Sequence, residues 1–95
     1  MSTPTPLTIT HHRDIGRFEA IVEGLPCEVD YVQDGPVMRI THTGVPRALE
    51  GRGIAAALVA HTLSWARQQR YRVQPLCSYV QVYIERHPEW QDMLA

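Results

Sequence analysis

Cys77 has the most reactive setting in this chain. It follows Pro75 and Leu76 at the end of an extended run and precedes a segment of helical spacing, a position where a helix dipole favours the thiolate. The other role open to it is that of a small buried apolar side chain. Tyr83 lies six residues further on and is neutral at pH 7; it can act as a general acid if its hydroxyl reaches a leaving group, or it can simply pack. His42, near the end of another extended run, can accept a proton near neutrality or bond the backbone. The remaining candidates read more plainly. His87, before Pro88, reads as a helix-end residue, His11 and His12 as part of a solvated tail, and Trp65 and Trp90 as packing.

A second chemical feature is the stretch "RALEGRGIAAALV", residues 47–59. Gly51 and Gly53 stand just before a helical pattern. The first amides of a helix have no internal partners, and glycines let a ligand approach the backbone, so the stretch reads either as an anion cradle or as a tight turn. Two familiar phosphate loops do not fit. The chain lacks GxxxxGK[ST] and contains no lysine at all, and "GRGIAA" has no third glycine of a dinucleotide fingerprint, which argues against ATP and NAD. All nine basic residues are arginine, the type best suited to phosphate oxygens. The net charge of −1 nevertheless argues against a nucleic-acid partner.

These residues need a scaffold, and the periodicity supplies one. Phe18, Ala20 and Val22 alternate from Arg17 onward, then Cys27, Val29 and Tyr31; Asp34-Gly35 marks a turn before a third run from Val37 to about Thr43. Three antiparallel strands are expected. After Val45-Pro46 the spacing changes, and Ile54, Ala55, Leu58, Val59, Thr62, Leu63 and Ala66 form one stripe of a helix with Arg67 and Arg70 in its last turns. A strand from Tyr71 to Leu76 should return parallel to the third strand, and "SYVQVYIERHPEW" should be helical as far as Pro88. The fold class expected is α+β with a mixed sheet.

Ninety-five residues allow one small domain, expected over 11–95 behind a flexible tail over 1–10. No apolar run reaches membrane-spanning length, and the first residues lack the basic head and apolar region of a leader. A cytoplasmic protein without a membrane partner is expected. Cys27 and Cys77 are fifty positions apart without CxxC spacing, so free thiols and no metal site are expected.

"HTGVPRALEGRGIAAALV" resembles the pyrophosphate-binding segment of the GCN5-related N-acetyltransferases, whose pattern is Gln/Arg-x-x-Gly-x-Gly/Ala. The pattern falls on Glu50-Gly51-Arg52-Gly53-Ile54-Ala55. Glu50 replaces the usual Gln or Arg and, as a carboxylate, should point away from a diphosphate. With "HTGVP", "GRGIA", "PLCSYV" and "HPEW" in order, the chain is similar to the small single-domain members of that family.

The resemblance implies two central parallel strands that splay apart, Val37 to Val45 and Arg72 to Leu76, with acetyl-CoA as cosubstrate between them and a C-terminal helix beyond. Thr43 and Val45 would then hold pantetheine along a free strand edge, and Gly51, Arg52, Gly53, Ile54 and Ala55 the diphosphate. Cys77 would lie near the CoA thiol, as nucleophile or lining. Tyr83, or Tyr79, would protonate the departing thiolate, and His42 would deprotonate an acceptor amine. The family's helices between its first two strands have no counterpart here, which leaves the acceptor open. The implied function is transfer of an acetyl group to a primary amine of a small molecule or protein, by a monomer or weak homodimer. The alternative is a noncatalytic acyl-CoA-binding module.

Overall fold

The computed structural model describes residues 7–95. Alternating side chains build a sheet of five strands in sequence order: β1 (Ile9–His12), β2 (Arg17–Val22), β3 (Leu25–Asp34), β4 (Val37–Gly44) and β5 (Arg72–Pro75). The first four run antiparallel. Helix α1 (Ile54–Gln68) then crosses the sheet, so that β5 lies parallel to β4. Helix α2 (Ser78–Arg86) and a 3₁₀ turn, Pro88–Met93, complete the chain.

One face of the sheet is apolar and carries the core. Phe18, Ala20, Cys27, Val29, Met38, Ile40 and Val73 are buried there against Leu58, Val59, Leu63 and Ala66 of α1 and Val80 and Ile84 of α2. Their alternation with Arg17, Glu19, Glu28, Asp30, Arg39 and Gln74 leaves the other face mostly polar, with Ile21 and Val32 exposed on it. Thr62, the buried polar residue of α1, bonds the Leu58 carbonyl at 2.9 Å.

The mixed α+β sheet and the splayed parallel pair are as expected, but the amino-terminal edge is not. Of the tail expected over residues 1–10, residues 1–6 lie outside the described residues, whereas Leu7 packs on the core and Ile9 and Thr10 pair with Ala20 and Glu19. The sheet therefore has four antiparallel strands rather than three. His11 is no solvated tail residue either. Its ring stacks on Phe18 (centroids 3.9 Å apart) and meets Trp65 edge-on, while its Nε2 bonds the Tyr31 hydroxyl at 2.7 Å. A histidine can fill an aromatic core position when its polar edge is satisfied, and a count of apolar residues misses it.

Candidate functional site

Two structural breaks meet in one place. β4 and β5 pair only from Val37 opposite Arg72 to Ile40 opposite Pro75. There the amides of Leu76 and Cys77 both donate to the Ile40 carbonyl, at 2.9 and 3.1 Å, which turns the chain away from β4. β4 continues to Gly44 with β3 as its partner. Its other edge faces an opening. A bulge at Thr41 lies at the same point: Tyr31 pairs with Ile40 and Asp30 with His42.

The second break is the start of α1. Gly51 and Gly53 have φ of 82° and 76°, values that side chains with a Cβ rarely tolerate, and nothing lies within 4 Å of the Cβ either could carry. No side chain caps α1, and no acidic residue stands in its first turn. The first helical bond runs from the Ala57 amide to the Gly53 carbonyl at 3.1 Å, so the amides of Ile54, Ala55 and Ala56 precede the hydrogen-bonded turns. Between strand gap and helix start lies a cleft of about 460 Å³, with Thr43 and Val45 on one wall, Gly51, Gly53, Ala55 and Ala56 on the other, and Leu49 and Tyr79 beside them. An elongated ligand with an anionic segment fits this arrangement. Backbone donors serve the anion, and an unpaired strand edge serves amides.

Cys77 is the N-cap residue of α2, at the closed end of the strand gap. Burial pushes its thiol up, but the polar groups around the sulfur, the Val80 amide, the Thr43 hydroxyl and the Tyr79 and Thr43 amides, outweigh burial and bring it below the ordinary thiol value. The sulfur lies 3.7 Å from Thr43 Oγ1. Cys27 behaves oppositely: fully buried, its thiol is pushed up by burial and by Glu28. Both thiols are free.

The sequence-predicted residues therefore divide. Thr43, Val45, Gly51, Gly53 and Ala55 line one cleft, with Cys77 against Thr43. Ile54 contributes its amide, since its side chain is buried in the core. Arg52 turns outward to Glu23 Oε2 at 3.0 Å, and Glu50, expected to face away, lines the cleft. Tyr79 reaches the cleft, whereas Tyr83 lines an adjoining groove and stacks on His87 with centroids 4.0 Å apart. Burial raises both phenols, which stay protonated at neutral pH. The register sets His42 opposite Asp30, on the polar face, while Thr43 is opposite buried Val29. His42 Nε2 is 3.5 Å from Glu28 Oε1, and these two side-chain ends lie where a Cβ on Gly44 would stand, so they would have to shift to admit one. The cleft residues that periodicity did not single out are Leu49 and Ala56. Ala56 belongs to the small-residue run "IAAA", which keeps the helix start open.

Among the described residues no group of three or more His, Cys, Asp or Glu side chains could hold a metal ion, and no helix is long and apolar enough to cross a membrane.

Comparison with known proteins gives concordant findings. The family model for GCN5-related N-acetyl-transferases matches residues 17–93. Protein NATD1 of Mus musculus is 28% identical over 86 residues, which span 87% of this chain and 78% of that protein. Protein NATD1 of Gallus gallus matches to the same extent. The solution structure of a GCN5-like protein from Staphylococcus aureus superposes with a TM-score of 0.76 at 24% identity, over 94% of this chain and 88% of that one, and is similar in fold.

Proposed function

The chain belongs to the GCN5-related N-acetyltransferase family and is an acetyltransferase, and on that premise we propose that it carries acetyl from acetyl-CoA to a primary amine by way of Cys77. The observation that carries this reading is that an uncapped helix start and a free strand edge line one cleft, with Cys77, its thiol held below the ordinary value, against Thr43 of the cleft wall.

In this reading the amides of Ile54, Ala55 and Ala56 hold the CoA diphosphate, and the free edge at Thr43 and Val45 holds pantetheine, bringing the thioester to Cys77. Arg52 joins the diphosphate by leaving Glu23, an exposed pair of little energetic consequence. The Cys77 thiolate attacks the thioester carbon, and backbone amides on the β4 edge near Val45 stabilise the oxyanion. The bond to the CoA sulfur breaks, and the departing thiolate takes the phenolic proton of Tyr79, which is favoured over Tyr83 because it reaches the cleft. An amine then attacks acetyl-Cys77, expels the Cys77 thiolate and loses its proton, and a proton returned through solvent restores the Tyr79 phenol. His42 serves as base for an amine approaching from the polar sheet face. Two free thiols suit a reducing compartment such as the cytoplasm.

A thermal-shift comparison of CoA, acetyl-CoA, ATP and NAD tests the cosubstrate, because a ligand that binds only the folded chain stabilises it by mass action. Selective stabilisation by the two CoA species is expected; equal or larger shifts with ATP would remove the cosubstrate from the reading.

A further inference from the structure

Helix α1 ends, as it begins, on a residue in the left-handed region, but at this end the residue is an arginine. Arg70 has φ of 62°, and among the described residues that carry a Cβ only Glu23 also has a positive φ. The Tyr71 amide donates to the Ala66 carbonyl at 2.9 Å and the Arg70 amide to the Arg67 carbonyl at 3.0 Å, the closing bonds of a helix whose left-handed residue is usually glycine. A Cβ at this φ costs stability that glycine would not. Among the described residues Arg70 forms no ion pair that offsets the cost.

Arg70 lines a depression of about 390 Å³ together with Arg67, Tyr71, Arg72 and Asp92. Two of its three guanidiniums are already held in place. Arg67 pairs with the Asp92 carboxylate, bonds the Glu89 carbonyl at 2.7 Å and lies over the Trp90 ring at 4.6 Å. Arg72 donates to the Asp92 carbonyl at 2.6 Å. Among the described lining residues only Asp92 carries a carboxylate, and Arg67 occupies it, so the charges of Arg70 and Arg72 are left uncompensated.

We infer that this depression is a second anion site, and that it takes the dianionic phosphate of a small phosphate monoester between Arg70 and Arg72. It lies at the opposite end of α1 from the acetyl-CoA cleft, about 20 Å away along 15 residues, and has no part in the transfer chemistry. Guanidiniums match phosphate oxygens with paired donors, and two that approach from a helix end and a strand can grip one phosphate from two sides. The carbonyl end of α1 opposes an anion with roughly half a charge, which two full positive charges outweigh. The depression is larger than a phosphate group needs and admits the organic part of a monoester beside Tyr71.

Amide shifts of the ¹⁵N-labelled full chain titrated with inorganic phosphate test this, with acetate as the singly charged control and chloride holding the ionic strength constant. Phosphate should move the amides of Arg70, Tyr71 and Arg72 saturably, and acetate should not. In Arg70→Gly the phosphate dissociation constant should rise about tenfold, as for loss of one charge-assisted contact, and Arg72→Gln should act alike. Glycine takes a φ of 62° freely, so Arg70→Gly should unfold at no lower temperature than the unaltered chain, and its lost binding is then not a loss of fold. An Arg70 that serves only the carbonyl end of α1 would give no saturable shift in the unaltered chain. That result, equal responses to phosphate and acetate, shifts confined to residues 54–56, or an unchanged dissociation constant in Arg70→Gly would each overturn the inference.

Discussion

Cys77 and Cys27 are a matched pair within one chain. The first has the Thr43 hydroxyl 3.7 Å from its sulfur at a helix start and is held below the ordinary thiol value, whereas burial and Glu28 push the second up. Alkylation by iodoacetamide followed by peptide mapping should therefore show Cys77 reacting with a midpoint pH below that of an ordinary thiol, with Cys27 inert while the chain is folded. Thr43→Val removes the hydroxyl donor and should move the Cys77 midpoint upward; an unchanged midpoint would contradict the geometry. The sequence placed Cys77 at a strand-to-helix junction and made a thiolate reasonable there. It left open whether Tyr79 or Tyr83 faces the site, because the two are one helical turn apart and only the rotation of α2 about its axis separates them. His42 shows the opposite limit: the Thr41 bulge, which no periodicity announces, decides which sheet face it occupies.

The start of α1 was the most legible element, since two glycines before an apolar stripe define a left-handed entry and an open helix end. Gly53→Val should destabilise the chain by at least about 1 kcal/mol, because a residue with a Cβ resists a φ of 76°. It should also abolish CoA binding through crowding of the helix amides. Thermal unfolding reads the first effect and titration the second; a stable, fully binding variant would reduce the glycines to a turn. Arg52 provides a finer check. If it exchanges Glu23 for diphosphate, Arg52→Ala weakens CoA by roughly 1 to 3 kcal/mol and Glu23→Ala tightens it, whereas an Arg52 that stays with Glu23 gives no change in either variant. β1 was the least legible element, because its inward residues include a histidine and its strand is only four residues long.

At the scale of the whole molecule, one covered sheet face and one short aromatic cluster make stability sensitive to pH. His11 is held below its ordinary pKa by burial, and then by Arg13, His61 and His12 nearby. A depressed histidine binds its proton more readily in the unfolded chain, so stability should fall as pH drops through 6.5 and below. Thermal midpoints measured between neutral and mildly acidic pH should decline less in His11→Gln, which keeps a partner for the Tyr31 hydroxyl without a titrating ring; parallel profiles would assign the decline to other groups. The fold sets Cys77 against Thr43 in the wall of the cleft that the start of α1 also lines, and the most direct test of the proposed acyl transfer is the mass of the intact protein. Brief incubation with acetyl-CoA and no amine should add one acetyl group, mapped to Cys77, which a subsequently added amine discharges, and Cys77→Ala should lose the adduct while still binding CoA. The chain has no lysine to acetylate in the background, so only the amino terminus need be excluded by mapping. Amine acetylation that proceeds without any acetyl-Cys77, and at an unchanged rate in Cys77→Ala, would contradict the account and leave direct transfer in its place.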